Sequence, residues 1–236
     1  MRLLLVFSCI TGIALLLALT QRTMTPPMTL PPSTPTGTIR SIALGDSYTI
    51  GEGVEPEQRW PNLLVRDLQV RGIPIELVAN PSRTGWTTAD VLERELPVAK
   101  TAQPTFATLL IGVNDWVQGV PAEIFRQRLA TILDETLKLL PSPRRLITVT
   151  IPDFSATPTG ARFGGGRDIS KGIAEFNSMI IEESKRRDIA VVDIFTLSQG
   201  VRNDPSLIAD DGLHPSAKEY ALWEAMILPV ALAALH

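Results

Sequence analysis

Between residues 39 and 235 short apolar runs and longer amphipathic stretches take strict turns, and this alternation limits the fold more than any other feature of the chain. The runs at 42–45, 75–80, 105–112, 145–151 and 189–193 are short, apolar and bounded by turn residues, and read as strands. Apolar residues at helical spacing fill 60–68, a stretch starting at about 88, and then 122–140, 169–187 and 216–235. The first of these is closed by Arg71-Gly72, a cation followed by a glycine stop. Strands joined through helices cannot fold back as hairpins, so they lie mostly parallel, and the crossover helices cover both faces of the sheet. With 236 residues, 44% of them hydrophobic and 20% charged, the chain has enough apolar material for one such domain with a full core.

A sheet of this kind holds ligands beyond the carboxyl ends of its strands, where the strand order reverses. The expected architecture is a flavodoxin-like three-layer α/β/α sandwich on a five-stranded parallel sheet of order 2-1-3-4-5. In that order the second and third strands flank the first at about 5 Å on either side. The first run breaks at Gly45-Asp46-Ser47, a tight strand-to-helix turn that delivers a serine to the sheet edge. The second leads into the turn-rich Pro81-Ser82-Arg83-Thr84-Gly85-Trp86, and the third into Val113-Asn114-Asp115. Ser47, Gly85 and Asn114 therefore converge. A glycine lets a backbone N–H approach a substrate oxygen and an asparagine amide donates without charge, so with the Ser47 N–H they form an oxyanion hole. Each also has a commoner use, serine and glycine in turns and asparagine as a cap.

A serine nucleophile needs a base, and the chain has two histidines, of which His236 is the terminal residue. His214 lies in Asp210-Asp211-Gly212-Leu213-His214-Pro215, a loop just before the last helix. Asp211, three residues upstream, can accept from the imidazole Nδ1 and leave Nε2 for the serine. The bland alternative is that both aspartates cap the helix or solvate the loop.

Taken together, Gly45-Asp46-Ser47, Gly85, Gly112-Val113-Asn114-Asp115 and Asp211-Gly212-Leu213-His214 resemble, in order, the four sequence blocks of the SGNH, or GDSL-type, esterase and lipase family. The resemblance covers 39–236 and implies a serine esterase: Ser47 as nucleophile, Gly85 and Asn114 as oxyanion donors, His214 as base and Asp211 as its orienting carboxylate. It implies no metal and no cofactor. Tyr48 stands where the family's namesake block has leucine, which leaves the chemistry unaffected and the subfamily open.

Residues 3–19 form a mostly apolar, uncharged run between Met1-Arg2 and Thr20-Gln21-Arg22, the layout of an export signal. Residues 1–20 are read as a signal peptide or an uncleaved N-terminal anchor, the latter associating the protein with a membrane through 3–19. The product is then exported, whether secreted, periplasmic or membrane-anchored. Residues 21–38 are rich in proline and threonine and read as an extended spacer. Cys9 is the only cysteine and lies in the leader, which rules out a disulfide framework or a cysteine nucleophile in the domain.

A formal charge of −3 without any long Lys/Arg run gives no footprint for nucleic acid. A phosphate-cradling reading of residues 45–53 fits neither G-x-G-x-x-G nor a lysine-bearing loop, and Asp46 and Glu52 would repel the anion. The remaining alternative is a non-catalytic exported module that binds glycans in the same cleft, with Trp86 and Trp116 as sugar platforms. Residues 152–168 contain Pro152, Pro158 and Gly164-Gly165-Gly166 and are expected to form a long mobile loop, serving as a lid or substrate wall. The substrate is a small-molecule, lipid or acetylated-sugar ester.

Overall fold

The computed structural model describes residues 37–236; the leader and nearly all of the spacer lie outside the described residues. β1 (Ile39–Gly45) runs into α1 (Ser47–Ile50), and α2 (Trp60–Val70) returns the chain to β2 (Ile75–Ala79). A three-part helix follows, α3 (Thr88–Asp90), a π turn at Val91–Glu95 and α4 (Leu96–Ala102), leading to β3 (Phe106–Leu110). After α5 (Val113–Val117) and α6 (Ala122–Leu137) come β4 (Leu146–Val149), α7 (Ile169–Lys185), β5 (Ala190–Val192), α8 (Phe195–Ser198) and α9 (Ala217–Leu235).

The five strands pair in parallel in the order β2-β1-β3-β4-β5, the topology the alternation predicts. β3 and β4 are buried along their whole length, as strands covered on both faces must be. α2 packs against α9, and α6 contacts both α4 and α7, so helices close both sides of the sheet. Trp60 and Trp223, both fully buried, fill the core with Phe106, Phe125 and Tyr220. No described helix is long and apolar enough to cross a membrane.

The register β1 to β3 pairs Gly45 with Leu110, which sets the turn after β1 level with the start of α5 at the carboxyl edge of the sheet. Gly45 has to be glycine: a Cβ there would lie 2.2 Å from the Leu110 carbonyl oxygen and 2.3 Å from Thr49 Oγ1.

Three features depart from expectation. α6 stops at Leu137 rather than at residue 140, because Pro141 disfavours helical backbone at Leu140 before it. The helix after β2 widens into a π turn just ahead of Pro97, whose ring would clash with the Glu93 carbonyl in a regular helix. Residues 152–168 form two 3₁₀ turns, at Phe154–Ala156 and Gly160–Phe163, where a long loop was expected. Buried Asp153 fixes their start, accepting from Ser155 N at 3.1 Å and from Ser170 Oγ and Gln199 Nε2 at 2.8 Å each.

Candidate active site

Ser47 is the first residue of α1, and Asp46 caps that helix by accepting the Tyr48 N–H at 3.0 Å. A residue in the first turn has no helical acceptor for its own N–H, so Ser47 presents both a hydroxyl and a backbone donor at the sheet edge. Only 5% of Ser47 is exposed, and that exposure is to a cavity of about 260 Å³.

Beneath the turn lies a set of carboxyls that the sequence does not advertise. Asp46 is fully buried; loss of solvent, reinforced by nearby Asp115, pushes its pKa up to about 8, and its Oδ2 has no partner. Glu95, at the end of the π turn, accepts the Gly45 N–H at 2.9 Å, and burial pushes its pKa up to about 9. Burial also raises Asp115, whose carboxylate accepts the Thr88 N–H at 2.9 Å and so ties α5 to α3. Sequence reasoning missed Glu95. Its only signal is an acidic residue on the otherwise apolar side of a helix, preceding Leu96-Pro97.

The second half of the site is local to one loop. Asp211 Oδ2 lies 2.6 Å from His214 Nδ1, while Oδ1 accepts the backbone N–H groups of Leu213 at 2.8 Å and His214 at 2.9 Å. Partial burial works against the charge of Asp211, but the imidazole and the two backbone donors prevail and hold its carboxyl below the usual range. With Nδ1 facing a carboxylate, Nε2 is the free acceptor. The loop is anchored by Ala209 N donating to His214 O at 2.8 Å, and the Tyr48 ring meets the imidazole edge-on at 5.8 Å. Tyr48 therefore packs on the histidine where the namesake leucine would stand. Asp210 is exposed.

Ser47, Gly85, Asn114 and His214 all line the same cavity, and Asp211 stands behind His214. The Asn114 amide is oriented by donating one hydrogen to the Trp86 carbonyl at 2.9 Å, which leaves its second N–H available. Gly85 has φ +81°, and its carbonyl accepts from Gln118 Nε2 at 3.2 Å, which ties that peptide to the residue following α5. An uncharged donor set opposite a serine and an imidazole acceptor suits the build-up of negative charge on a carbonyl oxygen.

The two tryptophans considered as sugar platforms do not line this cavity. Trp116 is buried beneath the Arg167 guanidinium, which sits 4.0 Å from its ring centroid, and it packs edge-on to Phe154. Trp86 is half-buried and contributes its backbone carbonyl to Asn114.

Comparison with known proteins shows the family and the fold. The family described as GDSL-like Lipase/Acylhydrolase matches residues 43–222. The chain is 24% identical over 175 residues to an arylesterase of Vibrio mimicus, covering 74% of this chain and 78% of that protein. It is 25% identical over 175 residues to the thioesterase 1/protease 1/lysophospholipase L1 of Escherichia coli K12, covering 74% of each. The crystal structure of a lipase/acylhydrolase from Enterococcus faecalis superposes with a TM-score of 0.67 at 24% identity, over 81% of this chain and 94% of that one, a likeness of fold.

Proposed function

Since the chain belongs to the GDSL-like lipase/acylhydrolase family and is a serine-dependent carboxylic ester hydrolase, we propose that it works through an acyl-enzyme intermediate on Ser47. His214 Nε2 takes the Ser47 proton as Oγ attacks the ester carbonyl, and Asp211 holds the ring and steadies the imidazolium. The N–H groups of Ser47 and Gly85 and the free Asn114 amide hydrogen stabilise the tetrahedral oxyanion. Collapse expels the alcohol, protonated by His214, and water then releases the acid by the same steps in reverse order.

The observation that carries this reading is the 2.6 Å Asp211–His214 contact at the rim of a cavity that Ser47, Gly85 and Asn114 share. Its test is mass spectrometry of the protein quenched during turnover of a slowly deacylated aryl ester. One acyl group should appear on the peptide containing Ser47 and be absent from Ser47→Ala. Acylation of another residue, or full activity in Ser47→Ala, removes Ser47 from the mechanism.

We further propose that the enzyme acts outside the cytoplasm. The support is the apolar run at 3–19 followed by a proline-rich spacer. Fractionation of cells producing the full chain tests it, and recovery of all activity in the cytoplasm would contradict it.

A further inference from the structure

The wall of the cavity at Ser47 is mostly apolar. Beyond the four residues already assigned, it is walled by Val113, Val117, Phe154, Phe163 and Leu213, with Tyr48 and Thr84 the other polar side chains, and no Asp, Glu, Lys or Arg lines it. A sugar placed there would turn most of its hydroxyls to apolar walls, each a substantial desolvation loss, whereas an alkyl chain loses nothing by entering. At about 260 Å³ the space has room for an acyl chain of several carbons.

Phe154 and Phe163 come from the segment 152–168, which bridges the two halves of the site. At one end Thr159 N and Oγ1 donate to the Gly212 carbonyl at 3.0 and 2.9 Å, within the loop that carries Asp211 and His214. At the other, Arg167 donates to the carbonyls of Trp116 at 2.7 Å and Val117 at 3.0 Å, the last turn of the helix that carries Asn114. It also donates to Gly164 O at 3.0 Å and lies over the Trp116 ring. This single side chain joins the Phe163 turn to α5 through two parallel hydrogen bonds, a geometry a lysine cannot reproduce. Phe163 itself is 40% exposed, an aromatic ring left at the mouth of the cavity with no core to fill.

Resting on the esterase reading above, we propose that this cavity is an acyl-chain subsite for medium-length chains, with Phe163 the specificity-determining side chain at its mouth and Arg167 the positioning residue that holds it there. The substrate class is an ester of an unbranched, uncharged carboxylic acid, the alcohol portion projecting to solvent past His214.

The test is a chain-length series on the full chain: nitrophenyl acetate, butyrate, octanoate and palmitate, with an acetylated xylan beside them. The wild type should favour octanoate over acetate by about tenfold or more in kcat/KM, since each buried methylene favours binding. Phe163→Ala should lower the octanoate-to-acetate ratio several-fold. Arg167→Met should do the same through KM for octanoate, and Arg167→Lys should not restore it. A wild-type ratio near one, preference for the acetylated xylan, or an unchanged ratio in Phe163→Ala would each overturn the subsite while leaving ester hydrolysis intact. Failure to hydrolyse any of the esters would instead overturn the esterase reading beneath it. Phe163→Trp, which keeps the wall and narrows the mouth, supplies a second variant: its preference should move toward butyrate, and an unmoved optimum counts against the proposal.

Discussion

Asp46 and Asp211 are the same side chain placed close to the proposed nucleophile and base, one position before Ser47 and three before His214, and the protein treats them oppositely. Asp46 is sealed under the turn with one oxygen unpartnered, and burial drives it toward the protonated form. Asp211, its side chain 40% exposed, accepts from three donors and is held ionised. The difference reflects how the two halves are built. The turn that presents Ser47 is made by distant parts of the chain, β1, the π turn and α5, so its polar groups are buried by tertiary packing. The loop that presents His214 makes its carboxylate contacts within four residues, from Asp211 to His214, and leaves the outer side of Asp211 in water. Burial of Asp46 costs stability and fixes geometry; exposure of Asp211 costs little and keeps a charge.

The comparison can be broken at several points. Apart from the two aspartates, the largest effect is expected at Asn114: Asn114→Ala should lower kcat by about 100- to 1000-fold, the usual consequence of losing one oxyanion donor. The fold should survive, and a folded variant with unchanged kcat removes Asn114 from the site.

The next concerns pH and stability. Asp46 keeps its proton to about pH 8 and Glu95 to about pH 9 in the folded chain, whereas unfolding releases them near 4. Across that window the native state binds more protons than the unfolded one, so this contribution is complete below about pH 4 and is lost as pH rises through the folded values. The Tm measured by circular dichroism should therefore fall between pH 6 and pH 9, by about 2–4 °C per kcal/mol lost. A Tm that rises over that interval contradicts the assignment of protonated carboxyls under the turn. The smallest effect is at Gly85. Nothing lies within 4 Å of an added Cβ, so Gly85→Ala should cost only the strain of its positive φ, about 1–2 kcal/mol in urea unfolding, with its backbone donor kept. A large loss of kcat there would mean that the Gly85 peptide moves during turnover.

The sheet order was legible because five apolar runs and the helices between them carry different periodicities, and parallel pairing with right-handed crossovers leaves few arrangements. Ser47, Gly85, Asn114 and His214 could be nominated because each follows a strand or precedes a helix at the edge where ligands bind, and the structure brings them to one cavity. What stayed hidden has physical reasons. α1 and α5 are four and five residues long, too short to show a period. Asp46 reads in sequence as a hydrophilic turn residue, and only tertiary packing reveals that it is buried. Glu95 depends on a π turn that shifts register by one residue, which no helical wheel anticipates. The order in 152–168 comes from Arg167 and Asp153 reaching carbonyls and hydroxyls far away in the chain, so a segment rich in glycine and proline reads as an unstructured loop.

The most direct test of the account is the same exchange made at both aspartates and read side by side. Asp211→Asn should lower kcat by about 10⁴-fold with Tm nearly unchanged, because the imidazole loses the partner that fixes its tautomer. Asp46→Asn, a neutral side chain replacing a protonated one, should keep kcat within about tenfold, a difference of 1.4 kcal/mol or less, and should flatten the decline of Tm with pH. If Asp46→Asn abolishes activity in a folded protein while Asp211→Asn leaves it intact, the division of the site into a buried neutral half and an exposed charged half is wrong.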